Sequence, residues 1–239
     1  MILRNLKNLR DDVMNYRDYK RIKDWNCQSV GMFGDKIYAY EVLTGFANAP
    51  EYYQITKEEF EKRGIAMVIH TERLVLKPLG MEYLQTVNKY ATDLENTKYM
   101  MHLPNENIDE TRSFLEGVTA EWQKETPTFY EFAIILDGKH IGAVSVYLNE
   151  DCSEGELGWI LDKDYWGCGY TSEAGRALVD MCVEKLGVRK FIAHCDSENE
   201  ASKGVMRKLG MHLEAEYDGR KNRASDEMRR ECEYRMQVN

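Results

Sequence analysis

The chain has 239 residues, of which 43% are hydrophobic and 31% are charged, a composition typical of a globular protein. Its net charge of −9 at pH 7 argues against general nucleic-acid binding, which needs a basic surface, and is compatible with a cationic partner such as an amine. The N-terminus lacks the apolar core of a signal peptide and no apolar run approaches the ~20 residues of a membrane span, so we expect a cytoplasmic protein with no membrane partner.

The cysteines and histidines predict neither disulfides nor a metal site. The six cysteines are scattered without a C-x-x-C pair, which in a cytosolic chain indicates free thiols. The five histidines show no ligand spacing such as H-E-x-x-H, and we therefore expect no structural metal.

Residues 1–70 are predicted to form a small N-terminal extension. Residues 1–25 are highly charged, and their apolar positions suit an amphipathic helix that either docks on the protein's own surface, which we favour, or binds a partner. These positions are Leu3, Leu6, Leu9, Val13 and Tyr16.

A small sheet and a helix are expected to follow within this extension. Residues 29–33 and 36–42 flank Gly34-Asp35 as a β-hairpin, and residues 51–55 are a candidate third strand. Thr56 and Glu59 form a capping box for a helix that ends at Gly64. Since a segment this short buries too little surface to be stable alone, it is expected to pack on the main domain or to form a dimer contact.

From residue 71 the pattern becomes regular. Residues 73–79 form a predicted strand, and residues 81–99 form a predicted helix with one apolar stripe, formed by Leu84, Val87, Ala91 and Leu94. Asn107 is placed to cap a second helix, whose end is marked by Pro127.

The remaining elements alternate between strands and helices. Predicted strands cover residues 129–136, 140–148, 156–161, 188–195, 211–217 and 228–238, and predicted helices cover residues 173–186 and 199–209. The resulting order from residue 71 is β-α-α-β-β-β-α-β-α-β-β. It predicts an α/β (α+β) domain over residues 71–239, with a mixed, mostly antiparallel central sheet flanked by helices, and not a doubly wound Rossmann fold.

A Gly-x-Gly turn joins the strand at 156–161 to the helix at 173–186. A strand, a glycine turn and a helix N-terminus expose a row of backbone N–H groups that favour an anion, usually a phosphate. Glycines permit close approach of the backbone, here at Gly167 and Gly169. The tripeptide alone does not separate an anion site from a turn that simply needed glycine.

Three segments in this order resemble the GNAT superfamily of acyl-CoA-dependent N-acyltransferases, and among its branches the ribosomal-protein (Rim-type) N-acetyltransferases. They are Glu156-Leu157-Gly158-Trp159-Ile160-Leu161 with Tyr165-Trp166-Gly167-Cys168-Gly169-Tyr170-Thr171-Ser172-Glu173-Ala174, then Asn199-Glu200-Ala201-Ser202 with Met206-Arg207-Lys208-Leu209-Gly210-Met211, and Thr71-Glu72-Arg73-Leu74-Val75-Leu76. The resemblance covers roughly residues 71–239, and residues 1–70 lie outside it.

Two positions depart from the family pattern. The phosphate loop of the family has Gln or Arg three residues before the first glycine, where this sequence has Asp164, a place often non-basic in this branch. Many members use a tyrosine on the last helix as a general acid, and the matching position here is Met206, so that role is vacant or filled elsewhere.

The resemblance implies an acetyl-CoA groove and no metal. The backbone N–H groups of the glycine turn would hold the pyrophosphate, so that Cys168 is more readily explained as incidental than as a nucleophile. The strand edge would bind the pantetheine arm, and Asn199 would contact it while also capping the last helix. The implied cofactor-binding residues are Trp159, Ile160, Leu161, Trp166, Gly167, Cys168, Gly169, Tyr170, Thr171 and Asn199.

Two catalytic roles are predicted. Glu156 is the candidate general base, with orientation of a backbone group or binding of the substrate's cation as alternatives. Ser202 is a candidate proton donor to the leaving thiolate, with an exposed position in the first helical turn as the alternative. The aromatics Trp122, Tyr130, Tyr147 and Tyr165 are expected mostly in the core, with one of them as a possible wall of the acceptor pocket.

Together these features predict an N-acetyltransferase that moves an acetyl group from acetyl-CoA to a primary amine by direct attack. The acceptor would be a protein N-terminus, such as that of a ribosomal protein, or a small cationic amine. The alternative is a non-catalytic acyl-CoA sensor or recruiting module with the same fold. No nucleic-acid partner is expected, and the chain would be a monomer or a homodimer.

Overall fold

The structure is a computed structural model of the chain. It describes residues 68–124 and 126–238 in full, together with the backbone of five strands within the first 67 residues. These strands are β1 (Arg4–Asn5), β2 (Tyr19–Trp25), β3 (Gln28–Phe33), β4 (Ile37–Thr44) and β5 (Ala49–Gln54). The chain divides into two compact units, Met1–Met67 and Val68–Asn239.

The first unit contains an antiparallel sheet in the order β1-β5-β4-β3-β2. The predicted strands at 29–33, 36–42 and 51–55 are confirmed. The predicted helix over 1–25 is wrong at β1 and β2, because pairing of residues 19–25 with β3 outweighs the local helical spacing. The turn at Gly34-Asp35 and the predicted helix at 56–64 lie outside the described residues.

The second unit is built on an eight-stranded sheet in the order β12-β13-β11-β10-β9-β8-β7-β6. Its strands are β6 (Ile69–His70), β7 (Leu74–Pro78), β8 (Phe129–Leu136), β9 (Lys139–Leu148), β10 (Glu154–Leu161), β11 (Lys190–Asp196), β12 (His212–Lys221) and β13 (Met228–Gln237). All neighbouring pairs are antiparallel except β10 and β11, which are parallel. The predicted mixed α/β fold is confirmed.

Four α-helices accompany this sheet. They are α1 (Leu84–Ala91), preceded by a 3₁₀ turn, α2 (Ile108–Trp122), α3 (Tyr170–Met181), continued by a π-helical segment over Cys182–Leu186, and α4 (Glu200–Leu209). Asn107 caps α2 as predicted, since its side chain accepts hydrogen bonds from the backbone N–H groups of Asp109 and Glu110. None of the helices that the structure describes is long and apolar enough to cross a membrane.

The sheet is buried on both faces. Side chains alternate along a strand, so Ala133 and Ile135 of β8 enter a core that contains Leu115 and Val118 of α2, while Phe132 points to the opposite face. Helices α3 and α4 contact each other; α3 packs on β9 and β10, and α4 packs on β11. The domain therefore has three layers, and the two helix pairs face different sides of the sheet.

The predicted helix over 81–99 is wrong beyond Ala91. Thr92 ends α1, and the Asp93 side chain accepts a hydrogen bond from the N–H of Asn96 in a local turn. Leu94, predicted on the apolar stripe, is 67% exposed. Polar side chains that bond to the nearby backbone compete with helical hydrogen bonds, and this competition stops the helix early.

Candidate active site where two strands diverge

A gap opens in the sheet between β10 and β11. Their parallel pairing covers only three positions, the last of which joins Glu156 to Ile192. Beyond it, β10 stays paired with β9 as far as Leu161, whereas β11 stays paired with β13 as far as Asp196. The main-chain edge of β10 after Glu156 therefore faces a gap that a ligand can enter.

The alternation of the antiparallel ladder decides which peptide groups face the gap. The N–H of Asp162 donates to Ile141 O of β9 at 2.9 Å, so every second residue before it, including Ile160, also turns its main chain towards β9. Trp159 and Leu161 turn theirs towards the gap. Of the three predicted edge residues, the main chain of Ile160 is thus directed away from the gap.

The carbonyl of Leu161 is already used within the protein. It accepts hydrogen bonds from Asn96 Nδ2 at 3.1 Å and from Trp166 Nε1 at 2.8 Å. Trp166, predicted to bind the cofactor, therefore anchors the end of β10 with its indole N–H while its ring remains exposed. Trp159 is left as the predicted residue whose N–H and C=O can both bind a ligand.

The glycine turn leads directly into α3. Gly167 (φ 77°) and Gly169 (φ 82°) both have left-handed backbone conformations, which glycine adopts without strain. Gly169 is the N-cap of α3, and no side chain caps the helix. The first N–H groups of an uncapped helix and its dipole favour an anion. The predicted donors Cys168, Tyr170 and Thr171 lie in this segment.

An ion pair that the sequence reasoning missed clamps this turn to the start of the domain. Glu173 in the first turn of α3 accepts hydrogen bonds from Thr71 Oγ1 at 2.6 Å, Arg73 N at 2.9 Å and Arg73 Nε at 2.7 Å. Burial opposes ionisation of Glu173, but these hydrogen bonds outweigh it and lower its pKa. The Arg73 guanidinium also donates to Cys168 O at 3.1 Å and lies 4.6 Å from the centre of the Tyr170 ring.

The ion pair brings the Arg73 guanidinium, from the residue just before β7, next to the glycine turn. The family pattern would place Gln or Arg at position 164, but Asp164 here forms an ion pair with Lys89 at 2.7 Å. Lys89 also binds Asp162 at 2.7 Å. Arg73 therefore takes the place beside the turn, and the Thr71-Glu72-Arg73 motif at the domain start was the available signal for it.

The sequence resemblance implies acetyl-CoA as the ligand of this turn. On that expectation, replacing Glu173 by glutamine raises the KM for acetyl-CoA about ten-fold with little change in kcat, because a neutral amide holds Arg73 and the turn less firmly. Steady-state kinetics with varied acetyl-CoA measure this split. The control is Glu184→Gln, an exposed glutamate just after α3. A fall in kcat with an unchanged KM would contradict a positioning role for the clamp.

The opposite wall of the gap is the N-terminus of α4. Asn199 Oδ1 accepts from the N–H of Ser202 at 3.1 Å, which confirms the predicted cap and leaves Nδ2 as the atom that can donate. Ser202 is only 9% exposed, and its Oγ accepts from Trp159 Nε1 at 3.2 Å. The alternative of an exposed Ser202 is therefore wrong, and the hydroxyl hydrogen remains available for donation. Met206, at the usual tyrosine position, is fully buried.

Glu156 lies at the point where the strands diverge. Its side chain is 52% exposed, and its Oε1 is 2.9 Å from His194 Nδ1 on β11. The hydrogen bond with Glu156 raises the pKa of His194 above its ordinary value of 6.5, against the opposing effect of burial. His194 Nε2 in turn lies 3.5 Å from Glu233. Sequence reasoning did not find His194, because only the parallel pairing of β10 with β11 brings it next to Glu156.

A second carboxyl lies on the same face of the sheet. Glu131 of β8 is 7% exposed, and Tyr147 Oη donates to its Oε2 at 3.3 Å. Burial raises the pKa of Glu131 to about 7, and the hydrogen bonds from Tyr147 and Ser145 only partly oppose it. Tyr147 pairs across the ladder with Glu156 and is 43% exposed. Glu131 is a single acidic residue within the apolar strand β8, and the local sequence does not predict that its carboxyl is buried.

The other candidate aromatics lie mostly away from solvent. Tyr130 is 6% exposed, and Trp122 contacts it edge-on with ring centres 5.3 Å apart. Tyr165 belongs to the 3₁₀ turn before the glycines. Tyr147 is therefore the predicted aromatic that combines exposure with a place beside Glu156.

Comparison with known sequences places this site in a family. The family model described as an acetyltransferase (GNAT) domain matches residues 73–212. An uncharacterized N-acetyltransferase, p20, of Bacillus licheniformis is 24% identical over 162 residues, covering 66% of this chain and 91% of that protein. The uncharacterized N-acetyltransferase YnaD of Bacillus subtilis (strain 168) is 28% identical over 156 residues, covering 62% and 84%.

Solved structures share the fold. An acetyltransferase (GNAT family) from Bacillus anthracis superposes with a TM-score of 0.62 at 25% identity, covering 72% of this chain and 98% of that one. The ribosomal-protein alpha-N-acetyltransferase RimL in complex with coenzyme A gives a TM-score of 0.64 at 17% identity, with coverages of 72% and 98%. Rim-type enzymes are thus among the structural neighbours.

Proposed function

The chain belongs to the acetyltransferase (GNAT) family, and from this membership we propose that it transfers the acetyl group of acetyl-CoA to a primary amine. The observation that carries the proposal is that an anion-binding helix N-terminus follows directly on a strand whose main-chain edge is unpaired. The uncapped N-terminus of α3 at Gly169 suits the pyrophosphate, and the main chain of Trp159 suits the pantetheine amides. The residues present therefore suit acetyl-CoA.

The turn leaves room for an anion. A Cβ built at Gly167 would meet nothing within 4 Å, so the space beside its Cα is open. Gly169 has only Arg73 nearby, at 3.7 Å from such a Cβ. An open concave backbone with an adjacent guanidinium supports binding of a doubly charged pyrophosphate.

Glu156 and Ser202 are proposed to carry the proton transfers. Glu156 takes a proton from the ammonium of the acceptor, directly or through water, so that the neutral nitrogen attacks the thioester carbonyl. When the C–S bond breaks, its electron pair stays on sulfur, and the Ser202 hydroxyl donates a proton to the thiolate. Trp159 Nε1 stabilises the Ser202 oxygen in this step through its 3.2 Å hydrogen bond.

Acetyl-CoA at about 100 times its Kd is expected to stabilise the protein by about 2.7 kcal/mol, because it binds only the folded state. For a chain of this size such a stabilisation corresponds to a rise in melting temperature of roughly 5–10 °C. Thermal unfolding with and without acetyl-CoA measures the shift. Pantetheine, which lacks the pyrophosphate and the nucleotide of CoA, serves as the control. Equal shifts from acetyl-CoA and pantetheine would argue against the pyrophosphate site at the turn.

The acceptor is proposed to be a protein N-terminus or a small cationic amine. Glu156 and Glu131 support a cationic acceptor, because within residues 68–124 and 126–238 neither carboxyl has a Lys or Arg within ion-pair distance. RimL is a ribosomal-protein acetyltransferase, but its 17% identity shows a shared fold only.

The second candidate function is a non-catalytic acyl-CoA sensor. The buried Met206 at the usual position of the acidic tyrosine favours it. A sensor would bind acetyl-CoA without releasing CoA when amines are supplied, and this measurement separates the two functions.

We further propose that residues 71–239 carry the transfer reaction and that residues 1–70 form a docking or dimer module. We also propose that the protein is cytoplasmic, which is in accord with the exposed free thiols of Cys152 and Cys168.

A further inference from the structure

Glu131 and Tyr147 form a hydrogen-bonded pair for which the proposed reaction so far has no use. Tyr147 Oη donates to Glu131 Oε2 at 3.3 Å, so a hydroxyl joins a buried carboxyl to the surface of the site. Tyr147 is the direct cross-strand partner of Glu156, and Phe129 is its partner on the other side. The Tyr147 ring stacks on Phe129 with centres 5.0 Å apart, and this contact holds the ring on the face of the sheet that carries Glu156.

A glycine lies in the cross-strand row that contains Glu131. Gly158 lies opposite Ser145, which in turn lies opposite Glu131, so these three residues form one row across the sheet. A Cβ built at Gly158 would lie 2.6 Å from Ser145 Oγ. The Ser145 hydroxyl therefore occupies the space that a side chain at position 158 would need, and it lies between Glu131 and the strand that borders the gap.

The charges around Glu131 leave it without a counter-ion. The groups that face it are Tyr147 and Ser145 on β9 and the buried Tyr90 of α1, with Glu156 beyond Tyr147. No Lys or Arg of the fully described residues lies within ion-pair distance. A desolvated carboxyl without a cation takes up a proton more readily than an exposed one.

We propose that Tyr147 and Glu131 form a second proton-accepting pair of the active site. Tyr147 Oη takes a proton from the acceptor nitrogen while its own hydroxyl proton passes to Glu131 Oε2. This inference rests on the proposed acetyl transfer and deepens it.

The proton balance of the reaction calls for two acceptors. An ammonium becomes an amide N–H, so two protons leave the nitrogen while the C–N bond forms and the C–S bond breaks. Glu156 takes the first proton before attack, and Tyr147 with Glu131 takes the second as the tetrahedral intermediate collapses. Ser202 donates its hydroxyl proton to the CoA sulfur and regains a proton from solvent, while Glu156 returns its proton to solvent. The second proton taken from the nitrogen is released to solvent when Glu131 ionises again, so that one proton is released in total. Its pKa of about 7 suits both uptake and release near neutral pH.

The test compares Glu131→Gln and Tyr147→Phe with the wild-type full-length chain. CoA release from acetyl-CoA is followed with 1,4-diaminobutane and with a peptide that begins with serine, within a broader panel of primary amines. Each variant is expected to lower kcat about a hundred-fold with an unchanged KM for acetyl-CoA. Glu131→Gln should also remove one ionisation near pH 7 from the profile of kcat/KM, and Glu131→Asp should restore part of the rate.

The matched control is Tyr217→Phe, which removes a similar hydrogen bond, from Tyr217 Oη to Glu233 Oε2 at 3.2 Å, on β12. Its kcat should stay within about two-fold of the wild type. An unchanged kcat in Glu131→Gln, or a lowered kcat with an unchanged pH profile, overturns the inference while the acetyl transfer stands. If Glu131→Gln fails to fold, Tyr147→Phe decides in the same way, because its side chain is half exposed. No CoA release by the wild type with any amine of the panel overturns the acetyl transfer itself, and the inference with it.

Discussion

Replacing Glu156 by glutamine is expected to lower kcat about a thousand-fold and to leave the Kd for acetyl-CoA unchanged. The amide cannot take the proton of the acceptor ammonium, whereas the cofactor contacts lie at Trp159 and the glycine turn. Stopped assays of CoA release give kcat, and titration calorimetry gives the Kd. A thousand-fold loss of acetyl-CoA affinity with normal turnover would contradict the role of Glu156 as a base.

The role of Glu156 also predicts how activity changes with pH. The pair formed by Glu156 and His194 can accept a proton only when His194 is neutral, so activity should rise with pH through the raised pKa of His194, above 6.5. The hydrogen bond with the Glu156 carboxylate is the largest cause of the raised pKa of His194, and Glu156→Gln removes it. The remaining activity of this variant should therefore begin to rise at a lower pH than that of the wild type.

The chain offers a close control for this substitution. Glu214 is 53% exposed and lies 3.6 Å from His212, an arrangement similar to that of Glu156 and His194 but on the outer strand β12. Glu214→Gln should keep both the rate and the pH profile of the wild type. Parallel losses in the two variants would indicate a general charge effect instead of proton transfer.

Replacing Gly167 by leucine is expected to weaken acetyl-CoA binding by about a hundred-fold or more. A side chain there would fill the open space beside the Gly167 Cα and hinder the approach of the pyrophosphate to the turn. Charge-assisted hydrogen bonds are worth about 1.5–3 kcal/mol each, so losing one or two of them accounts for this change. Titration calorimetry with acetyl-CoA measures the loss.

Backbone strain is separated from this loss by Gly187→Leu. Gly187 ends the helical segment after α3 with φ 74°, close to the 77° of Gly167, and a Cβ there also meets nothing within 4 Å. Both variants should therefore lose similar stability, roughly 1–2 kcal/mol, but only Gly167→Leu should lose acetyl-CoA. Equal acetyl-CoA affinities in the two variants would place the pyrophosphate elsewhere.

The order of elements in the second unit could be predicted because each has a strong local signal. The alternating apolar pattern identified β8 and β9, and Asn107 marked the start of α2. The end of α1 could not be read in the same way. The N–H of Asn96 binds the Asp93 side chain in the turn that ends α1, and the Asn96 side chain is held by the carbonyl of Leu161 and the N–H of Lys163. Such contacts with a distant part of the chain leave no trace in the local pattern.

The site was predictable where a motif lies on one continuous segment. The glycine turn and the cap at Asn199 are local features, and the structure contains both. The partners of these features come from distant parts of the chain. Arg73 reaches Glu173 across about a hundred residues, and Glu131 meets Tyr147 only because β8 and β9 pair in one register. Charge and burial at these contacts follow from tertiary packing.

Release of CoA from acetyl-CoA in the presence of primary amines tests the central claim most directly. The full-length protein is mixed with acetyl-CoA and the amine panel, and free thiol and acetylated amine are quantified together. Acetyl transfer predicts equal amounts of CoA and acetylated amine with at least one amine, and about a thousand-fold slower release by Glu156→Gln. Binding of acetyl-CoA without thiol release for any amine would contradict acetyl transfer and would identify the chain as an acyl-CoA sensor.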